Sequence, residues 1–175
     1  GVKELLSATT IEPSLCNKLY KRELLYNSCL DPQIVNYEDL LRNFVLFQRA
    51  ERTVYEDFCP YQYWRRENSM SNNNELVRQF KHTIRAKETI VANSPKKYQD
   101  VAVQSLMSTL VNCANRLVFS KEETSKTLYS ECRRKLVREK KRLSLLIDRQ
   151  KIAAKLIIFC PLIHKWIYRI YLKRK

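Results

Sequence analysis

Glycine is all but missing from this chain: one residue in 175, at position 1. Sheet proteins draw on glycine for hairpin turns, bulges and other positive-φ positions, so its absence argues against a β architecture. Helices joined by Asn, Ser and Pro have no such need. No run of alternating strands bounded by turn dipeptides appears either. Histidine is scarce, with only His82 and His164. The cysteines, at 16, 29, 59, 113, 132 and 160, form no C-x-x-C pair. A zinc site wants clustered thiolate and imidazole ligands, so the sequence predicts no metal and no cofactor. It contains no G-x-S-x-G, no H-E-x-x-H and no glycine-rich phosphate loop. Glu56 and Asp57, like Glu122 and Glu123, are neighbours that point ~100° apart on a helix and make no catalytic dyad. The expectation is a non-enzymatic protein with no catalytic residue.

Glycosylation sequons are absent, and Cys16, Cys113 and Cys132 fall at apolar helical positions. That pattern predicts buried, reduced thiols in an intracellular compartment rather than a disulfide framework. Long hydrophobic runs are absent too. The most apolar stretch, Ile152 to Leu172, is interrupted by Lys155, His164, Lys165 and Arg169. Its longest unbroken run, Leu156 to Ile163, falls far short of the ~20 residues of a membrane span.

What the chain has is a 45% apolar fraction, enough for a core, and a formal net charge of +15. The charge is lopsided: residues Lys121 to Lys175 hold 17 of the 33 Lys+Arg but 5 of the 18 Asp+Glu. The reading is all-α: a helical bundle body over residues 1–119, then a long basic helix and an amphipathic C-terminal segment over 120–175. Within the body, a short helix is expected from Ser14 to about Leu30. Asp31-Pro32 is a cap-and-proline signal for another, running to about Phe58. Ser69 to Asn74 is polar and turn-prone. A helix follows to Ala92, stopped by Asn93-Ser94-Pro95. The next, to Phe119, carries no charge between Asp100 and Arg116, the signature of a helix surrounded by protein. Ser120-x-x-Glu123 has the form of a capping box, and no breaker follows until Pro161.

On one continuous helix, Leu128, Cys132, Leu143, Leu146 and Ile147 cluster about Leu136 on the wheel. Arg134, Arg138, Lys141, Arg142 and Arg149 supply the opposite, cationic side, a stripe of ~22 Å suited to phosphates, and Arg133 beside them is a further nucleic-acid-binding candidate. Arginine predominates, which favours bidentate phosphate contact. A second candidate is the C-terminal segment, with Phe159, Ile163, Trp166, Ile167, Ile170 and Tyr171 among lysines and arginines and no acid after Asp148. That composition suits docking to a partner protein or to an anionic membrane surface. A third is Tyr61, Tyr63, Trp64, Arg65 and Arg66, which resemble a base-stacking platform in composition alone.

The sequence therefore predicts a non-enzymatic subunit of an intracellular assembly, in the nucleus or another compartment that holds nucleic acid. Its basic helix would contact DNA or RNA through phosphates, with little sequence specificity. The alternative is a scaffold or adaptor whose C-terminal amphipathic helix binds a partner protein or an anionic membrane.

Overall fold

The computed structural model of the chain describes residues 1–26, 38–58, 60–62, 64 and 76–173. Of these, 73% are helical, and no strand occurs among the described residues. The fold is all-α, as the missing glycine implies. Two compact units divide it, Gly1–Tyr98 and Gln99–Lys175.

The first unit holds α1 (Val2–Ser7), α2 (Arg22–Leu25), α3 (Glu38–Arg49) and α4 (Leu76–Asn93). α1 buries Val2, Leu5 and Leu6, and packs on α3. α3 buries Leu40, Leu41, Phe44 and Leu46 and also packs on α4, which contributes Phe80, Ile84, Ala86 and Ile90. These side chains recur at three- and four-residue spacing, the stripe by which a helix buries one face.

Of the helix expected from Ser14 to about Leu30, only α2 forms among the described residues, and residues 14–20 are not helical. Backbone groups at Pro13, Ser14 and Leu15 are taken by α3 instead. Asn43, fully buried, donates from Nδ2 to the carbonyls of Pro13 (2.8 Å) and Ser14 (3.1 Å), and its Oδ1 accepts from the Tyr20 hydroxyl (2.6 Å). Asp39 Oδ2 accepts from the Leu15 N–H at 3.1 Å. Asn17 is left-handed, with φ 59°, a conformation Asn tolerates better than most residues. Burial pushes the Tyr20 phenol up to about 12. α3 also ends earlier than the expected Phe58. Beyond Arg49 the apolar side chains Val54 and Phe58 are exposed, so no packing face sustains further turns. The Asp31-Pro32 signal and the Ser69–Asn74 turn lie outside the described residues.

The second unit holds α5 (Gln99–Leu117), α6 (Glu123–Arg138), α7 (Asp148–Phe159) and α8 (Pro161–Lys173). α5 buries Val103, Leu106, Met107, Leu110, Cys113 and Ala114. It packs against α6 and α7, although Asn112 and Arg116 stay exposed, so the helix is not enclosed on every side. Ser120 does not cap α6. Its Oγ accepts the Glu122 N–H at 3.4 Å, a turn ahead of the helix, and the helix begins at Glu123 with no side-chain cap.

The single long basic helix is the main correction. After Arg138 the chain passes through a 3₁₀ segment, Lys140–Leu145, and two extended residues, Leu146 (ψ 147°) and Ile147 (ψ 152°). It then doubles back as α7. Leu143 and Leu146 turn inward, and Ala154, Ile157 and Ile158 are buried where α7 meets α5 and α6. A straight helix would leave these side chains in water. Burying an isoleucine gains ~1.5–3 kcal/mol, whereas each net hydrogen bond lost at the break costs ~0.5–1.5 kcal/mol. Burial wins without any glycine or proline to mark the site.

The core of this unit rests on α5. Leu110 is fully enclosed. Leu110→Ala should therefore destabilise the protein by about 2–5 kcal/mol. A denaturant midpoint unchanged from wild type would show that α5 is peripheral.

Candidate functional site

The six basic residues singled out in the sequence fall on three elements, not one face. Arg133, Arg134 and Arg138 lie on α6, Lys141 and Arg142 on the 3₁₀ segment, and Arg149 on α7. Arg133 has a structural task. Its Nε donates to the Ile157 carbonyl at 3.0 Å, and its Nη2 to the Ile158 carbonyl at 2.9 Å. These carbonyls belong to the last turn of α7, where acceptors lack helical partners and the helix dipole is negative. Arg142 Nη1 sits 3.9 Å from Glu139 Oε2, and the Arg149 guanidinium lies 4.8 Å from the Tyr171 ring centre. Arg134, Arg138 and Lys141 point into solvent.

α8 is built differently. Cys160 ends α7, and Pro161 opens α8, where the missing N–H and preset φ of proline suit a helix start. One turn in, His164 is 2% exposed. Its Nε2 lies 2.8 Å from Asn115 Oδ1 and its Nδ1 3.5 Å from the Tyr129 hydroxyl. With the proton on Nε2, the neutral ring donates to Asn115 and accepts from Tyr129. Tyr168 continues the seam, with its ring centre 6.0 Å from His164, 6.2 Å from Phe119 and 5.9 Å from Tyr171. Polar and aromatic side chains thus form the inward face of the helix.

The outward face is apolar. Advancing ~100° per residue from His164, the side chains of Leu162, Trp166, Ile170, Ile163 and Ile167 fill an arc of about 140° opposite the seam. Leu162 is 82% exposed and Trp166 64%. Ile163 and Ile167 are exposed as well, Ile170 and Tyr171 half-buried. On α7, Ile152 and its last residue, Phe159, are exposed apolar side chains as well. Of the docking residues named from sequence, Phe159, Ile163, Trp166 and Ile167 are outward, while Tyr171 belongs to the seam. Leu162 was missed, although it sits one turn before Trp166. Lys165 and Arg169 flank the arc on one side.

The aromatic and basic segment after Phe58 is described only in part. Tyr61 and Trp64 are exposed, and Tyr63, Arg65 and Arg66 lie outside the described residues. Among the described residues no group of His, Cys, Asp and Glu is arranged to hold a metal ion. No described helix is long and apolar enough to cross a membrane. Set against known protein families, characterised proteins and solved structures, the chain matches none.

Burial in the seam disfavours the charged imidazole and holds the His164 pKa below its ordinary value. The unfolded chain therefore binds more protons as pH falls through the ordinary histidine range. The contribution of His164 is complete above that range and is lost as pH falls toward the lower folded value. Thermal midpoints of wild type should fall between about pH 7 and pH 5. His164→Gln should flatten that fall. Parallel curves for the two proteins would show that His164 does not fix α8.

Proposed function

We propose that this protein is a non-enzymatic docking module that lies on an anionic membrane surface through α8. The observation that carries the reading is the orientation of that helix: polar aromatics inward, leucine, isoleucine and tryptophan outward. Soluble surfaces seldom expose a contiguous apolar band of this kind unless something covers it. The band is convex, as one face of a lone helix must be. Lipid accepts such a shape without a matching groove. Cations border the band, no acid occurs after Asp148, and Trp166 adds the aromatic of an interfacial helix. Lys165 and Arg169 in mid-helix suit a position in the plane of the interface rather than a span. An intracellular setting is supported by the buried thiols of Cys113 and Cys132, whereas Cys16, expected to be buried, is exposed. Cytoplasmic leaflets also carry the negative potential that the basic C-terminal unit would meet.

Sedimentation with vesicles tests this. Wild type should bind vesicles containing phosphatidylserine and leave neutral phosphatidylcholine vesicles unbound. Trp166→Ala should weaken binding by about tenfold, or ~1.5 kcal/mol of apolar transfer, with little effect on folding. Equal binding to both kinds of vesicle, or to neither, would overturn the proposal.

The nucleic-acid reading is kept as a second one because Arg134, Arg138 and Lys141 remain solvent-facing. If these side chains engage duplex, changing all three to Gln should reduce the slope of log K against log salt by roughly three units, at ~0.9 per contact. Superimposed salt curves for wild type and variant would remove this reading and leave the membrane proposal intact.

A further inference from the structure

Beside the apolar arc, an open cleft of about 740 Å³ runs between the Phe119–Lys121 turn, the start of α6 and the basic edge of α8. Lys121, Lys126, Lys165 and Arg169 line it, above Phe119 and Ser120. Three separate elements deliver these cations to one concavity. One acid offsets them in part: Glu123 Oε2 takes the Lys126 ammonium at 3.1 Å. Glu122, next to it, accepts the Ser125 hydroxyl at 3.4 Å. The cleft keeps an excess of positive charge, and a concave surface of one sign focuses its field on whatever enters. Arg169 is held by the ring of Phe119, with 5.5 Å from guanidinium carbon to ring centre, so its planar fork is oriented rather than free to wander. Leu172, also exposed, lines the end of the same wall.

We infer that this cleft binds the phosphate-monoester headgroup of an anionic lipid, with the outward arc of α8 in the adjoining acyl layer. The inference rests on the membrane reading and adds a headgroup preference to it. Dispersed charge on a membrane needs no cleft. A compact polyanion does, because several phosphates must meet several cations at once. The cleft is open to solvent and roomier than one phosphate requires. Cations that crowd one concavity repel each other, and a polyanion relieves that repulsion. The neighbouring apolar arc is what separates a lipid from a soluble phosphate: the same face offers a place for each end of an amphiphile.

The test compares phosphatidylcholine vesicles doped with phosphatidylinositol bisphosphate against vesicles carrying the same total charge as phosphatidylserine. Wild type should prefer the first by about tenfold, the scale expected of one or two additional charge-assisted contacts. Lys165→Gln with Arg169→Gln should bring that ratio to near one. Arg134→Gln with Arg138→Gln removes as much charge away from the cleft and should leave the ratio unchanged. Lys165→Gln alone, which spares the Arg169–Phe119 contact, should lower the ratio part of the way, and circular dichroism confirms that each variant is folded. A wild-type ratio of one, or equal loss in both pairs of variants, would overturn the cleft while leaving attachment to anionic vesicles standing. Binding to neither vesicle would overturn both. If soluble inositol trisphosphate binds as tightly as the doped vesicle, the site serves a free phosphate and the lipid assignment falls.

Discussion

Between Arg138 and Asp148 the chain turns back on itself, and the packing of the C-terminal unit depends on that reversal. It brings Ile157 and Ile158 into a core with α5 and α6. It also places the last carbonyls of α7 within reach of the Arg133 guanidinium. A helix end leaves acceptors without partners, and a cation there satisfies them and complements the dipole. One residue that looks like part of a phosphate-binding stripe is thereby a fastener between two helices. Arg142 and Arg149 are likewise engaged within the unit, at Glu139 and Tyr171. The basic charge of this region therefore has two components: some of it holds the reversal together, and the remainder faces water.

α8 takes its orientation from the seam of His164 and Tyr168 with Asn115, Tyr129 and Phe119. Apolar packing alone tolerates rotation of a helix about its axis. Hydrogen bonds and stacked rings are directional and do not. With His164 locked to Asn115, rotation would break a buried contact and strand a polar ring. The apolar arc has to face out as a consequence. Lys165 and Arg169 come to rest at the edge of the cleft for the same reason. The proposed contact surface and the proposed headgroup site thus both follow from one inward-facing histidine.

The first unit uses polar side chains in a comparable way. Asn43 is buried among aliphatic residues of α3, where an unpaired amide would be costly. It is paired with the carbonyls of Pro13 and Ser14 and the Tyr20 hydroxyl, and so it organises a segment that carries no helix. Two side chains of α3, Asp39 and Asn43, define the path of an irregular strip of chain that has few apolar residues of its own.

The all-helical class was legible in the scarcity of glycine. α4 and α5 were legible in their periodicity and in the Asn93-Ser94-Pro95 stop, because helix propensity, capping and the 3.6-residue repeat are local properties. The mixture of Trp, Ile, Lys and Arg in α8 suggests a contact surface from composition, and the fold leaves Ile163, Trp166 and Ile167 exposed. The missing helix at Ser14, the early end of α3 and the break after Arg138 were not legible. Each was decided by tertiary surroundings: the distant partner Asn43 for the first, the lack of any packing face for the second, the buried face of α7 for the third. A helical wheel tells which side chains share a face. It does not tell which face turns inward, since that depends on what lies opposite. For α8 the deciding group is Asn115, 49 residues before His164, and only the folded chain brings the two together.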